Sequence, residues 1–244
     1  MNATTDHPGL IRRHSPRDIA RHMERERALP RGNGERFAGY GVMAAPFLSG
    51  HLLAFRRFVA SSIGPAYRSV WHREPGGRWT FFTDVEPARS CPRFFGAALH
   101  RTVVADIGLE WRGSHELVVT IPDARLDWCI RLDTSPATRM LNATGALLPP
   151  SAWHSTPVLG AVGAAAGRAL RAGTITLRGL APNGQAFQMR PRLVWSITAG
   201  AAILDGRDLG PVRPLARQTR LADFWLPNRG IFAFGTAAFH HPAP

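Results

Sequence analysis

Tyr67 to Val85 (YRSVWHREPGGRWTFFTDV) places a phenol and a carboxylate at the two ends of a folded-back pair of aromatic segments. Pro75 and Gly76 suit the two central positions of a type II turn. Glu74 then faces Gly77, and counting backwards sets His72 against Trp79, Trp71 against Thr80, Ser69 against Phe82 and Tyr67 against Asp84. On this register one face carries Val70, His72, Trp79 and Phe81, and the other carries Tyr67, Ser69, Trp71, Thr80, Phe82 and Asp84. Apolar walls with a few polar groups are the make-up of a small-molecule pocket. A carboxyl removed from water has a raised pKa and serves as general acid or base, so Tyr67 and Asp84 form a candidate proton-handling pair. Ser69, Trp71, His72, Trp79 and Phe82, with Trp128 from a later segment, are the candidate ligand contacts. Against this stands a plainer reading, in which Tyr opposite Asp is a satisfied pair at a barrel rim and His72 a hydrogen-bonded core residue.

Other chemistries are excluded by what the chain lacks. All 30 basic residues are arginine, so Schiff-base, pyridoxal-phosphate and P-loop nucleotide chemistry, which need a lysine amine, are absent. The two cysteines, Cys91 and Cys129, fall outside any C-x-x-C spacing, and the ten histidines are scattered, so no metal site is expected. No G-x-S-x-G elbow and no glycine-rich strand-turn-helix is present, and no cofactor is expected. The net charge of +13 suggests a polyanionic partner, but the replacement of every lysine by arginine points to codon bias instead.

The elements that must carry the hairpin follow from period and punctuation. Ser15-Pro16-Arg17-Asp18 has the N-cap and first-turn chemistry of a helix over 16–28, on which Arg17, Arg21 and Arg25 form a stripe and Glu24 and Glu26 a solvated face. Residues 51–60 read as a strand. Val103, Ala105, Ile107, Leu109 and Trp111 alternate with Val104, Asp106, Gly108 and Glu110, and the alternation resumes over 117–121 and 126–132, which reads as a three-stranded meander. Residues 136–172 lose the alternation and read as one or two helices, whose Gly160, Gly163 and Gly167 imply close packing. Strands resume over 174–180 and 187–197 around Asn183-Gly184, over 201–204 and 207–209 around Asp205-Gly206, and over 230–239. The expected fold is mainly β: a closed or nearly closed antiparallel barrel of about nine or ten strands with a helical insertion near 136–172 and an N-terminal helix. Residues 1–36 form an Arg-rich leader and 37–244 a single barrel-like domain. No apolar run reaches the length of a membrane span and the N-terminus has no signal-peptide core, so a cytoplasmic protein of undetermined oligomeric state is expected.

Gly77-Arg78-Trp79 on a strand resembles the G-x-W signature of lipocalins and related calycin barrels, in which an arginine near the last strand covers the tryptophan; Arg229 stands in that position. The resemblance implies a cavity for a hydrophobic small molecule inside the barrel. Isoprenoid, polyketide and acyl-like ligands fit it, with any reaction limited to proton transfer: hydration or dehydration, isomerisation or cyclisation. The alternative is a nucleic-acid or anionic-surface module, for which Phe55-Arg56-Arg57-Phe58 and Arg93-Phe94-Phe95 would be stacking platforms.

Overall fold

The computed structural model describes residues 15–241; the first fourteen residues of the leader and the last three of the chain lie outside it. Its frame is one sheet. Four strands open it: β1 (Glu35–Pro46), β2 (Leu52–Ser61), β3 (Tyr67–Arg73) and β4 (Trp79–Thr83). After helix α1 (Pro16–Glu26) and these strands come α2 (Pro92–Phe95), β5 (Arg101–Val104), β6 (Gly108–Trp111), β7 (Glu116–Ile121) and β8 (Leu126–Asp133). The helical insertion is α3 (Pro136–Leu147), a 3-10 turn at 150–154 and α4 (Thr156–Ala169). The chain finishes with β9 (Arg178–Leu180), the long β10 (Ala186–Leu204), β11 (Arg207–Asp208), a two-stranded ribbon β12 (Arg220–Leu221) and β13 (Phe224–Trp225), and β14 (Ile231–His240).

Ten strands pair in the order β5-β4-β3-β2-β1-β14-β10-β8-β7-β6, with β9 and β11 added along β10. Every pair is antiparallel except β4 with β5. The sheet is mainly antiparallel and strongly curled, as expected, but it is an open half-barrel and not a closed one: β5 and β6 stand at its two edges and do not pair. The expected strand over 103–111 breaks at this point. Ala105–Ile107 carries the chain from one edge of the sheet to the other, a span of at most about 14 Å for that many peptides. Period-two alternation continues unchanged through the corner, which is why the sequence reads as one strand.

Curvature gives the sheet an inside. Val70 and Phe82, near one edge, share a single buried cluster with Leu117 and Val119 near the other and with Phe55, Trp128, Trp195 and Phe232 from the middle. The lumen is therefore filled by side chains, in place of the expected ligand cavity. A second cluster, with Phe37, Tyr67, Trp71, Phe81, Phe94, Phe187 and Phe239, covers the outward face of the central strands.

The hairpin of β3 and β4 forms where expected, in a different register. Glu74 donates its N–H to the Arg78 carbonyl (3.0 Å), and Gly77 donates to Glu74 (2.9 Å) with φ at +93°. The loop is thus three residues, closed by a left-handed glycine, and not a two-residue type II turn. Ser69 pairs with Thr83, Val70 with Phe82 and Trp71 with Phe81, one residue away from the expected pairing. A one-residue slip moves a whole strand's side chains to the other face. Tyr67, Ser69, Trp71, Trp79 and Phe81 consequently share the outward face, whereas Val70, His72, Phe82 and Asp84 share the inward one.

Helix α1 closes the inside. Ser15 accepts from the Asp18 N–H and Asp18 accepts in return from the Ser15 N–H, a capping box, with Pro16 in the first turn. Its Ala20 enters the inward core, with Ile19 and Met23 beside it. Glu24, expected on a solvated face, turns inward instead: its carboxylate accepts from Arg57 Nε and Nη2 at 2.7 Å each and from the Tyr40 hydroxyl at 3.0 Å. Burial alone would raise the Glu24 pKa, but the Arg57 hydrogen bonds and charge hold it below its ordinary value. Glu24→Gln should cost about 1–3 kcal/mol in urea unfolding at pH 7, because it strips a half-buried charge from a buried arginine. Since the folded pKa lies below the ordinary value of 4.5, the wild-type advantage is whole above that pH and fades as pH falls through the depressed value. Equal unfolding midpoints for both proteins at pH 7 would refute this.

Candidate ligand cavity

β2 reads LLAFRRFVAS, and strand alternation sends its two arginines to opposite faces. Leu53, Phe55, Arg57 and Val59 point inward; Leu52, Ala54, Arg56 and Phe58 point outward. Above the outward face lies a cavity of about 230 Å³. For scale, an engineered apolar cavity of about 150 Å³ holds benzene.

Its floor is β2, β1, β14 and β10, contributing Phe37, Met43, Phe58, Ala233 and Val194. The floor also has two glycines facing each other across the β1–β14 ladder, Gly39 and Gly235. A Cβ on Gly39 would stand 2.0 Å from the Arg57 carbonyl oxygen, and one on Gly235 2.4 Å from that of Arg190. Only glycine lets the strands coil this tightly, and the missing side chains leave room above them. The roof is α3 and α4, with Leu141, Leu148, Val162, Ala166 and Leu170; Phe94, Phe95, Phe224 and Trp225 close one end.

The roof is fastened by local chemistry. Ser135 and Thr138 form a capping box at the start of α3, and Asn142 clamps the helix to β10 by donating to the Val194 carbonyl (3.0 Å) and accepting its N–H (2.8 Å). α4 is pressed on the returning chain at Gly163 and Gly167, where a Cβ would meet Ile175 O at 2.4 Å and Gly173 O at 2.3 Å. Two of the three glycines expected to mark close packing do so; Gly160 has open space beside it.

The polar end of the cavity holds Arg56, Tyr67 and Cys91. Arg56 is 6% exposed. Its Nη1 donates to the Val42 and Phe55 carbonyls and its Nη2 to Met43 (3.2 Å), and its guanidinium lies 4.7 Å over the Trp71 ring. Burial lowers its pKa to about 10, so it remains a cation at neutral pH. The Tyr67 hydroxyl lies 3.5 Å from Cys91 Sγ, and burial raises both pKa values, which leaves both groups protonated. Arg190 and Arg192 also line the cavity, from β10.

Of the residues singled out from sequence, Tyr67 and Trp71 line the cavity; Ser69 and Trp79 are buried on the same face without lining it. Ser69 donates to the Phe82 carbonyl at 2.9 Å. Asp84, His72, Phe82 and Trp128 belong to the inward side. Tyr67 and Asp84 therefore do not share a proton: the Asp84 carboxylate instead accepts from the Arg68 N–H at 2.7 Å and from its Nη1 at 3.4 Å. Arg56 and Cys91 escaped the sequence reading as site residues. The signal for Arg56 was the doublet itself, since adjacent arginines in a buried strand must go to opposite faces.

The aromatic platforms proposed for nucleic acid are largely interior, with Phe55, Phe94 and Phe95 buried in the two cores and Phe58 on the cavity floor. Trp79 packs edge-on against Phe81 (5.9 Å), while Arg229 is exposed; the tryptophan that an arginine covers on this face is Trp71. Among the described residues no cluster of three metal-ligating side chains occurs, and no helix is long and apolar enough to cross a membrane.

No protein-family model and no curated protein matches this chain. Among solved structures it is similar to acetoacetate decarboxylase from Legionella pneumophila subsp. pneumophila str. Philadelphia 1, with 13% identity and a TM-score of 0.38 over 87% of this chain and 86% of that one. A likeness that loose says nothing of the site.

His72 has a different partner from any expected. Its Nε2 lies 2.8 Å from His51 Nδ1 in a stacked pair (5.1 Å between centroids), and burial together with the His51 ring lowers its pKa to about 4. In a histidine-resolved NMR titration His72 should remain neutral from pH 8 down to about 5. An unfolded chain takes up that proton near 6.5. Stability should therefore decline as pH falls from there towards 4. A His72 midpoint near 6.5 in the folded protein would be incompatible with the pair.

Proposed function

We propose that the protein binds a hydrophobic small molecule, of isoprenoid, polyketide or acyl type, in the cavity between the outward face of the sheet and the helical insertion. One observation carries this reading: the cavity of about 230 Å³ is walled mainly by aromatic and aliphatic side chains, with Arg56, Tyr67 and Cys91 together in its lining and Arg190 and Arg192 entering from β10. Apolar cavities of this kind favour occupants that remove their surface from water. The filled lumen of the curled sheet supports placing the ligand outside it, under α3 and α4.

A reaction is the second reading, favoured by the Tyr67–Cys91 contact at the cavity's end. Two groups that hold their protons tightly serve as acids and hydrogen-bond donors before they serve as bases. Hydration, dehydration, isomerisation or cyclisation would then need its base from the ligand or from water, since Asp84 faces the other side of the sheet.

Nile red, a neutral apolar fluorophore, tests the first reading. The wild type should take it up with a blue-shifted emission. Ala166→Trp, on the roof, should weaken uptake about tenfold or more by filling the space, with the thermal midpoint nearly unchanged. Absence of uptake by the wild type, together with retention on heparin that modest salt abolishes, would favour the polyanion-binding alternative instead.

A further inference from the structure

A cation with no counter-ion sits at one end of an apolar cavity. Among the described residues no carboxylate lies within 4.0 Å of the Arg56 guanidinium, and the two acidic hydrogens nearest it, on Tyr67 and Cys91, stay in place at neutral pH. Burying an ion without a counter-charge costs several kcal/mol, which hydrogen bonds to carbonyls offset only in part. A guanidinium has five N–H donors. The three backbone carbonyls take two from Nη1 and one from Nη2, so Nε–H and one Nη2–H find no acceptor among the described residues.

The same molecule shows what those donors take. Arg57, the next residue, grips Glu24 with Nε and Nη2, and Arg93 grips Glu35 with the same two nitrogens. In both cases the acceptor is a carboxylate supplied by the chain. At Arg56 the described residues supply none, and the cavity opens there instead.

We propose that the ligand carries a carboxylate that seats on the Arg56 guanidinium, with the Tyr67 hydroxyl as a further donor and the apolar body extending beneath α3 and α4. This rests on the cavity being a ligand site. A single guanidinium balances a monoanion. Arg190 and Arg192 line the same cavity from β10, which β1 and β14 separate from β2.

Isothermal titration of the full chain with decanoate, decanol and decyl phosphate at pH 8 tests both layers. Decanoate should bind at least about tenfold more tightly than decanol, a factor set by a charge-assisted pair. Arg56→Gln should bring decanoate down to the level at which the same variant binds decanol, abolishing the preference. The wild-type comparison alone decides the matter if that variant does not fold. Equal affinities for decanoate and decanol would overturn the carboxylate while leaving the cavity reading intact, and tighter binding of decyl phosphate would overturn it in favour of a phosphate. Failure of all three amphiphiles and of Nile red would overturn the cavity reading itself.

Discussion

A strand covered on both faces has nowhere to hide a charge, and β2 carries two in succession. Alternation forbids Arg56 and Arg57 from sharing a solution, so each face of the sheet has had to provide its own. Inward, Arg57 demands a carboxylate, and the partner comes from Glu24 on a helix thirty-three residues earlier in the chain. That pairing docks α1 over the mouth of the curled sheet and brings Tyr40 into the same group. Outward, Arg56 settles for backbone carbonyls and the face of Trp71, and its charge is left facing an apolar space.

The two faces also divide the labour of the fold. The inward side is where the energy of burial is concentrated, with aromatic and branched residues from nearly every strand meeting in a single cluster. Outward, the central strands present glycine and alanine where bulk would otherwise stand, and α3 and α4 span the gap without filling it. Space appears where the floor is stripped of side chains and the roof is held up by the Asn142 clamp and the glycine contacts of α4. The resulting enclosure belongs to the insertion as much as to the sheet.

Much of this was legible from local chemistry. Ser15-Pro16 announces α1, the loss of alternation after Asp133 announces α3 and α4, and Asn183-Gly184 and Asp205-Gly206 announce their turns, each for a reason confined to a few residues. What escaped was whatever depends on a count of one or on distance along the chain. The loop after Arg73 is one residue longer than a tight turn, and that single residue sends Asp84 to the opposite side from Tyr67. The corner at Ala105–Ile107 preserves the alternation of the strands it separates, so periodicity is blind to it. No local pattern ties Glu24 to Arg57; their match is made only when the sheet curls beneath the helix.

That corner has a consequence for how the molecule keeps to itself. The two exposed edges of the sheet are four residues each and are consecutive in sequence, so they flank the same bend, where Arg68 clasps the Ile107 carbonyl at 3.1 Å. A stray strand seeking a template meets a short ledge with another rim alongside it. Many sheets discourage such pairing by planting charges or prolines along a border. Here connectivity supplies the guard, by leaving almost no border to defend.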